Sequence, residues 1–376
     1  MQKFKLIIKG GYGLTNFGDD ALLYVLSKNL LPYFNKDDVA FASYKNDYNE
    51  QFINGFEEIN VSKYKNIPTE ILIYGGGTQF YNFKKPPSMV RKYLSKIKQI
   101  LLLRKEKKLI LDENYNYLGA LGIGIGPFEN DYKHSKELST KTEFKKMSFI
   151  SIRDYSSFEL CNKWKLDNFR LESDICYSLD NPHFFQKKEN NNIRKIGIIV
   201  RDWDHTREGK AYYEKISILQ ENLKKENIEV TLILFATNSD NYWNNKKINF
   251  DNVLEWIPEE MTMNSFIENL NVFDLFITAR YHGAVFSTLL GKPFISIVVE
   301  QKLSLISDIF ANSSKKWIYP FNIDNCINNI KIIDKDYSNY CEKTVQEALK
   351  QKELSEVMFK RFIKFCEDKK ITKDSI

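Results

Sequence analysis

The chain has 376 residues, with 43% hydrophobic and 28% charged side chains, so it can build sizeable cores and is not globally disordered. Its formal net charge of +6 is too dilute for a dedicated nucleic-acid binder, and it leaves room for an anionic substrate. Five scattered cysteines predict neither a disulfide framework nor a zinc site, and no segment is apolar enough to span a membrane. We therefore expect a soluble, cytoplasmic protein of two domains or one large one.

Apolar runs that indicate strands alternate with helical segments along the first half of the chain. Strands are predicted at 4–9, 39–44, 71–74, 118–125 and 149–153, and helices at 18–31, 89–105 and 135–147. Buried strands that alternate with helices favour a parallel sheet covered on both faces. The polar segment 187–192 is the best linker candidate, so residues 1–188 are predicted to form a first Rossmann-like domain.

The same alternation begins again after the linker. Strands are predicted at 196–200, 230–236, 274–278 and 294–298, and helices at 209–225 and from residue 282 onward. Residues 193–337 are therefore predicted to form a second Rossmann-like domain, and residues 338–376 a final helix. Its apolar stripe would let the helix cross back to brace the first domain. The stripe consists of Val345, Leu349, Leu354, Met358, Phe362 and Phe365.

The first predicted strand ends in a glycine-rich turn, 10–20, that leads into a helix. Glycines let a ligand approach the backbone, and a helix N-terminus offers free N–H groups. The turn matches neither a P-loop nor a GxGxxG fingerprint. Asn16 and Asp19 are candidates for facing a ligand, with helix capping as the alternative, whereas for Asp20 capping is the favoured interpretation.

Three further candidate segments in the first half also follow predicted strands. Gly76 and Gly77 belong to a run of three glycines, which indicates a tight turn or the close approach of a ligand or another backbone. Arg153 closes another strand, and a purely structural pair with Asp154 is the favoured interpretation. Asp174 ends a third strand, where its carboxylate could cap a helix or point into a cleft.

The second half contains the segment whose residue types are best suited to anion binding and proton transfer. Arg280 and His282 lie two residues apart, where a strand ends and a helix begins near His282, so both can reach one anion at the helix N-terminus. Arginine offers a planar fork for carboxylate or phosphate, and histidine offers a proton near neutral pH. Arg201 ends a similar strand and could add a second positive group, with a surface ion pair to a nearby aspartate as the alternative.

The order and spacing of five segments resemble the polysaccharide pyruvyl transferase family. The segments are GGYGLTNFGDDALL, YGGGTQF, SIRDYSS, the SD at 173–174 and TARYHGAVFSTLLGKPFISI, over roughly residues 8 to 305. The resemblance implies a GT-B-like α/β fold, in which two Rossmann-type domains with parallel sheets face a central cleft, with residues 1–188 on the acceptor side and residues 193–337 on the phosphoenolpyruvate side. It also implies transfer of the enolpyruvyl group of phosphoenolpyruvate onto two hydroxyls of a sugar, which gives a pyruvate ketal and releases phosphate.

Individual residues match the motifs of that family. Arg280 and His282 match its arginine-x-histidine motif, and Asn16, Gly18 and Asp19 match its GN-x-GD start. The sequence departs from the pattern at three positions. These are Phe17, where the spacing is tolerant, Asp20, where glutamate is common, and the residue before Lys302, where the usual aromatic is absent.

The resemblance implies roles that suit these residue types. Arginines and a helix N-terminus would hold phosphoenolpyruvate as donor substrate, so we expect no metal and no cofactor. His282 would be the general acid or would protonate the departing phosphate, and Asp19 or Asp174 would act as base on the sugar hydroxyl. The predicted catalytic residues are therefore His282, Arg280, Asp19 and Asp174. The predicted substrate-binding residues are Arg201, Asn16, Gly18, Gly76, Gly77, Arg153 and Gly283.

Other interpretations remain open at this point. A GT-B glycosyltransferase that uses a nucleotide-sugar would have the same fold, and a non-catalytic sugar-binding protein could retain it. The acceptor would be a cell-surface polysaccharide or its lipid-linked precursor. The basic amphipathic helix predicted at 89–108 could contact an anionic membrane at its inner face, although a solvated helix packed on the sheet is the favoured interpretation.

Overall fold

The computed structural model describes residues 3–44, 47–82, 114–128, 135–186 and 192–373. The basic helix predicted at 89–108 lies outside the described residues, and so does most of the predicted linker. Within the described parts, strands and helices alternate through both halves of the chain.

Parallel strands form one sheet in each half. The first half contains β1 (Phe4–Lys9), β2 (Val39–Ser43), β3 (Glu57–Asn60), β4 (Thr69–Phe80), β5 (Tyr115–Ile125), β6 (Phe149–Ile152) and β7 (Phe169–Leu171), in the order β3-β2-β1-β4-β5-β6-β7. The second half contains β8 (Lys195–Val200), β9 (Glu229–Leu234), β10 (Val253–Glu255), β11 (Leu275–Thr278), β12 (Phe294–Ile297) and β13 (Ser314–Trp317), in the order β10-β9-β8-β11-β12-β13.

Helices connect these strands and cover the sheets. In the first half they are α1 (Phe17–Leu30), α2 (Glu50–Ile53), α3 (Ser135–Phe144) and α4 (Tyr155–Lys163). In the second half they are α5 (Arg207–Lys210), α6 (Tyr213–Lys225), α7 (Asn241–Lys246), α8 (Met263–Asn271), α9 (Tyr281–Leu289), α10 (Gln301–Ile309), α11 (Ile323–Lys335) and α12 (Tyr337–Asp368).

The strand order of each sheet reverses at its first strand, and a crevice opens there. In the first sheet β1 lies between β2 and β4, and in the second sheet β8 lies between β9 and β11. Ligands bind at such switch points, beyond the carboxyl ends of the strands. The prediction of two Rossmann-like α/β domains is confirmed, whereas the proposed boundaries 1–188, 193–337 and 338–376 stay predictions.

The glycine run at 75–77 lies inside a strand, and the prediction that it follows the strand end is wrong. Strand β4 continues through it to Phe80, and its partners on β5 include Leu121 and Ile123. Gly76 and Gly77 have positive φ angles of 67° and 71°, which L side chains rarely adopt. A Cβ on Gly76 would lie 2.8 Å from Leu22 of α1, so this glycine allows the helix to pack closely on the sheet.

Helix α12 reaches back to the first sheet, where Phe362 packs against Phe149 of β6 with ring centroids 5.4 Å apart. The apolar stripe was predicted partly in the wrong register, because Leu349 and Leu354 are exposed. The side chains buried along the middle of the helix are mostly small or polar, namely Thr344, Ala348, Gln351 and Ser355, and a pattern that counts only large apolar residues misses them.

One hydrophobic core runs from the first domain into the second, and Phe17 is fully buried in it. Its ring is within 5.2 Å, centroid to centroid, of four aromatic rings of the second domain, which belong to Phe235, Trp256, Phe266 and Phe286. Its backbone N–H donates to the carbonyl of Phe235 at 2.8 Å. These contacts fix the start of α1 against the second sheet.

Asp20 adds a buried polar contact between the domains, and the prediction that it only caps its helix is wrong. Its Oδ2 accepts a hydrogen bond from Trp256 Nε1 at 2.7 Å. Burial raises the pKa of Asp20 well above its ordinary value.

Among the described residues, no helix is long and apolar enough to cross a membrane. All five cysteines are described and buried, and none forms a disulfide, as their spacing predicts.

Candidate active site

A cavity of about 260 Å³ lies at the carboxyl ends of strands from both sheets. Seven of the predicted site residues line it, namely Asn16, Asp19, Gly77, Arg153, Arg201, Arg280 and His282. The other four, Gly18, Gly76, Asp174 and Gly283, do not line it. The structure therefore brings every polar candidate except Asp174 from distant parts of the sequence to one cavity, and assigns three of the four glycines to packing around it.

The imidazole of His282 lies between Gly18 and Asp174. A Cβ on Gly18 would lie 2.1 Å from His282 Nδ1, so only glycine leaves room for the ring. On its other side, His282 Nε2 is 3.7 Å from Asp174 Oδ2, which is an ion-pair distance when the ring is protonated. The ring of His282 is thus confined between these two residues at the N-terminus of α9, and its buried Nε2 has no hydrogen-bond partner among the described residues.

Arg153 pairs with Asp174, and the predicted pair with Asp154 is wrong. Arg153 Nη1 donates to Asp174 Oδ2 at 2.5 Å, and both side chains are buried. Asp154 instead caps α4 by accepting from Ser157 N at 2.8 Å. Burial alone would raise the pKa of Asp174, but Arg153 and then His282 outweigh it and hold that pKa well below its usual range.

The guanidinium group of Arg153 has a hydrogen-bond donor available for a ligand. Its guanidinium carbon lies 4.1 Å from the ring centroid of Tyr281, and Nη2 donates to Thr78 Oγ1 at 3.1 Å. Its Nε is buried and has no hydrogen-bond partner among the described residues. A buried, unused donor beside a cavity is available to an anion.

One group of potential metal ligands occurs among the described residues, formed by Asp174, Cys176 and His282. Asp174 already accepts a hydrogen bond from the Arg153 guanidinium, which supplies positive charge at the same oxygen. Burial raises the pKa of the Cys176 thiol well above its ordinary value, and thiols bind metals as thiolates. The group therefore fits an ion-pair network better than a metal site.

Arg280 is anchored on both its backbone and its side chain. Thr278 Oγ1 accepts from Arg280 N at 3.0 Å and donates to Arg280 O at 2.9 Å. The side-chain Nε donates to Val200 O at 3.1 Å, and Nη2 pairs with Asp240 at 2.5 Å. A Cβ on Gly283 would lie 2.2 Å from Thr278 Oγ1, so Gly283 lets α9 start close to this threonine.

Arg201 pairs with Glu300 across the second sheet, and its predicted alternative partner, a nearby aspartate, is not used. Glu300 also pairs with Lys302 at 3.1 Å. Burial lowers the pKa of Lys302 to about 8, although Glu300 opposes the shift. Lys302 is therefore a cation of the cavity that loses its charge within the physiological range of pH.

Asp19 is a cavity carboxylate that forms no ion pair with a described residue. It accepts a hydrogen bond from Asn16 Nδ2 at 2.7 Å, while Asn16 Oδ1 caps α1 by accepting from Gly18 N at 3.3 Å. Burial raises the pKa of Asp19, against the opposing effect of His282. The carboxyl group is thus more basic than an ordinary aspartate.

Several lining residues were not predicted from the sequence. They are Thr78, Tyr81, Gly124, Ile125, Gly126, Pro127, Asp154, Ser156, His205, Phe235, Tyr281, Glu300, Gln301, Lys302 and Leu305. The glycine-rich end of β5 was one available signal, since a Cβ on Gly124 would lie 2.9 Å from Asp154 Oδ2. Glu300 gave no comparable signal, because its importance depends on a contact with Arg201 from a distant strand.

The two facing Rossmann-like domains and the cation-rich cleft between them define a protein of the GT-B-like class. The polysaccharide pyruvyl transferase family matches residues 16–301, which is more than half of the chain. The chain belongs to the polysaccharide pyruvyl transferase family, as its motifs predict. None of the curated proteins compared with the chain matches it.

Solved structures support the fold. The UDP-GlcNAc 2-epimerase of Neisseria meningitidis, bound to UDP-GlcNAc, has a TM-score of 0.58 at 10% identity over 96% of this chain and 100% of its own. Anabaena HepE in complex with UDP has a TM-score of 0.55 at 11% identity over 97% of this chain and 100% of its own. At such identities the likeness shows the GT-B-like architecture alone.

Proposed function

We propose that the protein transfers the enolpyruvyl group of phosphoenolpyruvate to two hydroxyls of a sugar, forming a cyclic ketal and releasing phosphate. The observation that carries this proposal is the cluster of Arg153, Arg201, Arg280 and Lys302 around one small cavity that His282 also lines. Family membership supports a pyruvyl transferase activity on a polysaccharide. The acceptor we propose is a cell-surface polysaccharide or its lipid-linked precursor.

The cavity suits a compact donor with two anionic groups. Phosphoenolpyruvate carries a carboxylate and a phosphate, and arginine forks bind both groups with paired hydrogen bonds. Arg153 has a free buried donor, and Arg280, which lines the same cavity, is held in place at the start of α9. Lys302 adds a positive charge on a flexible side chain, which can stay close to the phosphate while the charge of the phosphate changes during the reaction.

The proton balance needs one acid and one base. The methylene carbon of the donor gains a proton, C2 becomes electrophilic, and the first sugar hydroxyl attacks it. The second hydroxyl then attacks C2 and phosphate leaves, so one hydroxyl proton ends on the methyl group and the other on phosphate. Two histidines, His205 and His282, line the cavity. His282 carries a proton to the methylene carbon or to the departing phosphate, because its ring is confined between Gly18 and Asp174 at the start of α9.

Asp19 is the better candidate for the base, and Asp174 is better explained as a positioning residue. Asp174 does not line the cavity and is committed to Arg153. Glu300 is paired with Arg201 and Lys302, and Asp154 caps a helix. Asp19 faces the cavity with a raised pKa, which suits a group that must accept a proton from a sugar hydroxyl.

A binding experiment separates this proposal from a nucleotide-sugar glycosyltransferase. Isothermal titration would compare phosphoenolpyruvate with UDP- and GDP-sugars on the wild-type protein and on Arg280→Ala. The proposal predicts that phosphoenolpyruvate binds and that Arg280→Ala weakens it by about tenfold or more. Binding of a nucleotide-sugar with no binding of phosphoenolpyruvate would favour the glycosyltransferase.

A further inference from the structure

Arg280 is held by a buried carboxylate that takes no part in the proposed chemistry. Asp240 is 1% exposed and lies between β9 and α7. We propose that Asp240 is a positioning residue, which aims Arg280 at the phosphate of the donor by fixing one edge of its guanidinium group. The inference rests on the proposed function, in which Arg280 binds the anionic donor.

Both oxygens of Asp240 are engaged. Oδ2 accepts from Arg280 Nη2 at 2.5 Å, and Oδ1 accepts from the backbone N–H of Asp202 at 2.9 Å. Asp202 follows β8 and accepts in turn from the backbone N–H of Tyr242 at 2.9 Å. Asp240 therefore connects Arg280, at the end of β11, to the loops that follow β8 and β9. The hydrogen bond from Asp202 holds the Asp240 carboxylate in place independently of the arginine.

The hydrogen bonds of Arg280 leave one edge of its guanidinium group for a ligand. Arginine has five N–H donors in a planar fork. Nε is used by Val200 O and Nη2 by Asp240, and no described residue accepts from Nη1. Since Arg280 lines the cavity, the protein holds the side chain along one edge and presents the rest of the fork to the cavity.

The positioning effect and the charge effect of Asp240 change the affinity for phosphate in opposite directions, so a binding measurement can tell them apart. Asp240 is an anion close to the binding arginine, so its removal would tighten phosphate binding if only charge mattered. If positioning dominates, its removal frees the long arginine side chain, and binding then has to order that chain again. A weaker affinity without Asp240 is therefore the sign of a positioning role.

Asp274 provides a matched control in the same sheet. It is 2% exposed, and its Oδ2 accepts from the backbone N–H groups of Arg194 and Lys195, both at 2.9 Å. It lies at the opposite end of β11 from Arg280 and does not line the cavity. Asp274→Asn therefore removes an equally buried charge without touching the arginine.

The test is a double-mutant cycle with inorganic phosphate as the probe in isothermal titration. The variants are Asp240→Asn, Asp240→Ala, Asp274→Asn, Arg280→Ala and the double variant Asp240→Ala with Arg280→Ala. We expect Asp240→Ala to raise the Kd about tenfold, Asp240→Asn to raise it less because the amide oxygen can still accept, and Asp274→Asn to leave it unchanged. With Arg280 already removed, Asp240→Ala should cause no further loss of phosphate binding, because the residue acts by positioning the arginine.

Two results would overturn the inference. One is an equal loss of phosphate binding in the presence and absence of Arg280, and the other is unchanged or tighter binding in the Asp240 variants. If Asp240→Ala does not fold in a thermal melt, the same cycle is run with Asp240→Asn. Turnover of phosphoenolpyruvate is assayed separately on the wild type, so a failure of the proposed function is distinguished from a failure of the cycle. In active protein, Asp240→Asn should raise KM for phosphoenolpyruvate more than it lowers kcat.

Discussion

Gly18 of the first domain lies directly against the imidazole of His282 in the second domain. The space for a side chain at residue 18 is already filled by the ring, since a Cβ there would be 2.1 Å from His282 Nδ1. The glycine thus joins the two motifs that the sequence places more than two hundred residues apart. It allows His282 and the start of α1 to share one cavity.

Gly18→Ala should displace the imidazole and lower kcat by about 10- to 100-fold, because small misplacements of a catalytic group are costly. Steady-state kinetics of phosphate release from phosphoenolpyruvate measure this effect. Stability offers a control, since the lost stability should return when His282→Ala removes the ring from the Gly18→Ala protein. An alanine at 18 that leaves kcat unchanged would mean that the ring has room to move.

Asp19→Asn should lower kcat by about 10²- to 10⁴-fold and change KM for phosphoenolpyruvate by less than about threefold, because it removes a base and leaves the arginines in place. Asp20→Asn is the matched control in the next position. Burial raises the pKa of Asp20 well above its ordinary value, and an amide oxygen can still accept from Trp256, so this variant should keep its activity. Equal losses in both variants would argue against a base at Asp19.

The pH profile of kcat/KM should fall on the alkaline side near pH 8. Burial lowers the pKa of Lys302 to about 8, so the side chain is charged below that pH and loses its charge as the pH rises through it. On the acid side, activity should fall as Asp19 is protonated, at a pH above its ordinary pKa. Lys302→Met should weaken binding of phosphoenolpyruvate and remove the alkaline limb, and an alkaline limb that persists in this variant belongs to another group.

Phe17→Ala should destabilise the protein by about 3–5 kcal/mol, because it removes a large ring from a fully packed core between the domains. Chemical denaturation followed by tryptophan fluorescence measures this, and Trp256 lies next to the substituted ring. Leu14→Ala, at a residue that is 44% exposed, should change stability by less than about 0.5 kcal/mol. A comparably small effect for Phe17→Ala would mean that the domains are joined elsewhere.

The sequence predicts which strand ends carry the site, but not which side chains pair there. Periodicity places Arg153, Arg201 and Arg280 after buried strands, and parallel strands bring those ends together. The pairing of neighbours such as Arg153 with Asp154 fails because successive side chains near a strand point to opposite faces. The actual partners, Asp174, Glu300 and Asp240, come from other loops, and only the tertiary fold sets those contacts.

The most direct test of the account is a phosphate-release assay with phosphoenolpyruvate and a panel of short glycans, run on the wild type and on His282→Ala. The account predicts phosphate release that requires a glycan acceptor, yields a ketal-bearing product by mass spectrometry, and falls by about 10²-fold or more in His282→Ala. No release from phosphoenolpyruvate with any glycan, or full turnover in His282→Ala, would contradict it.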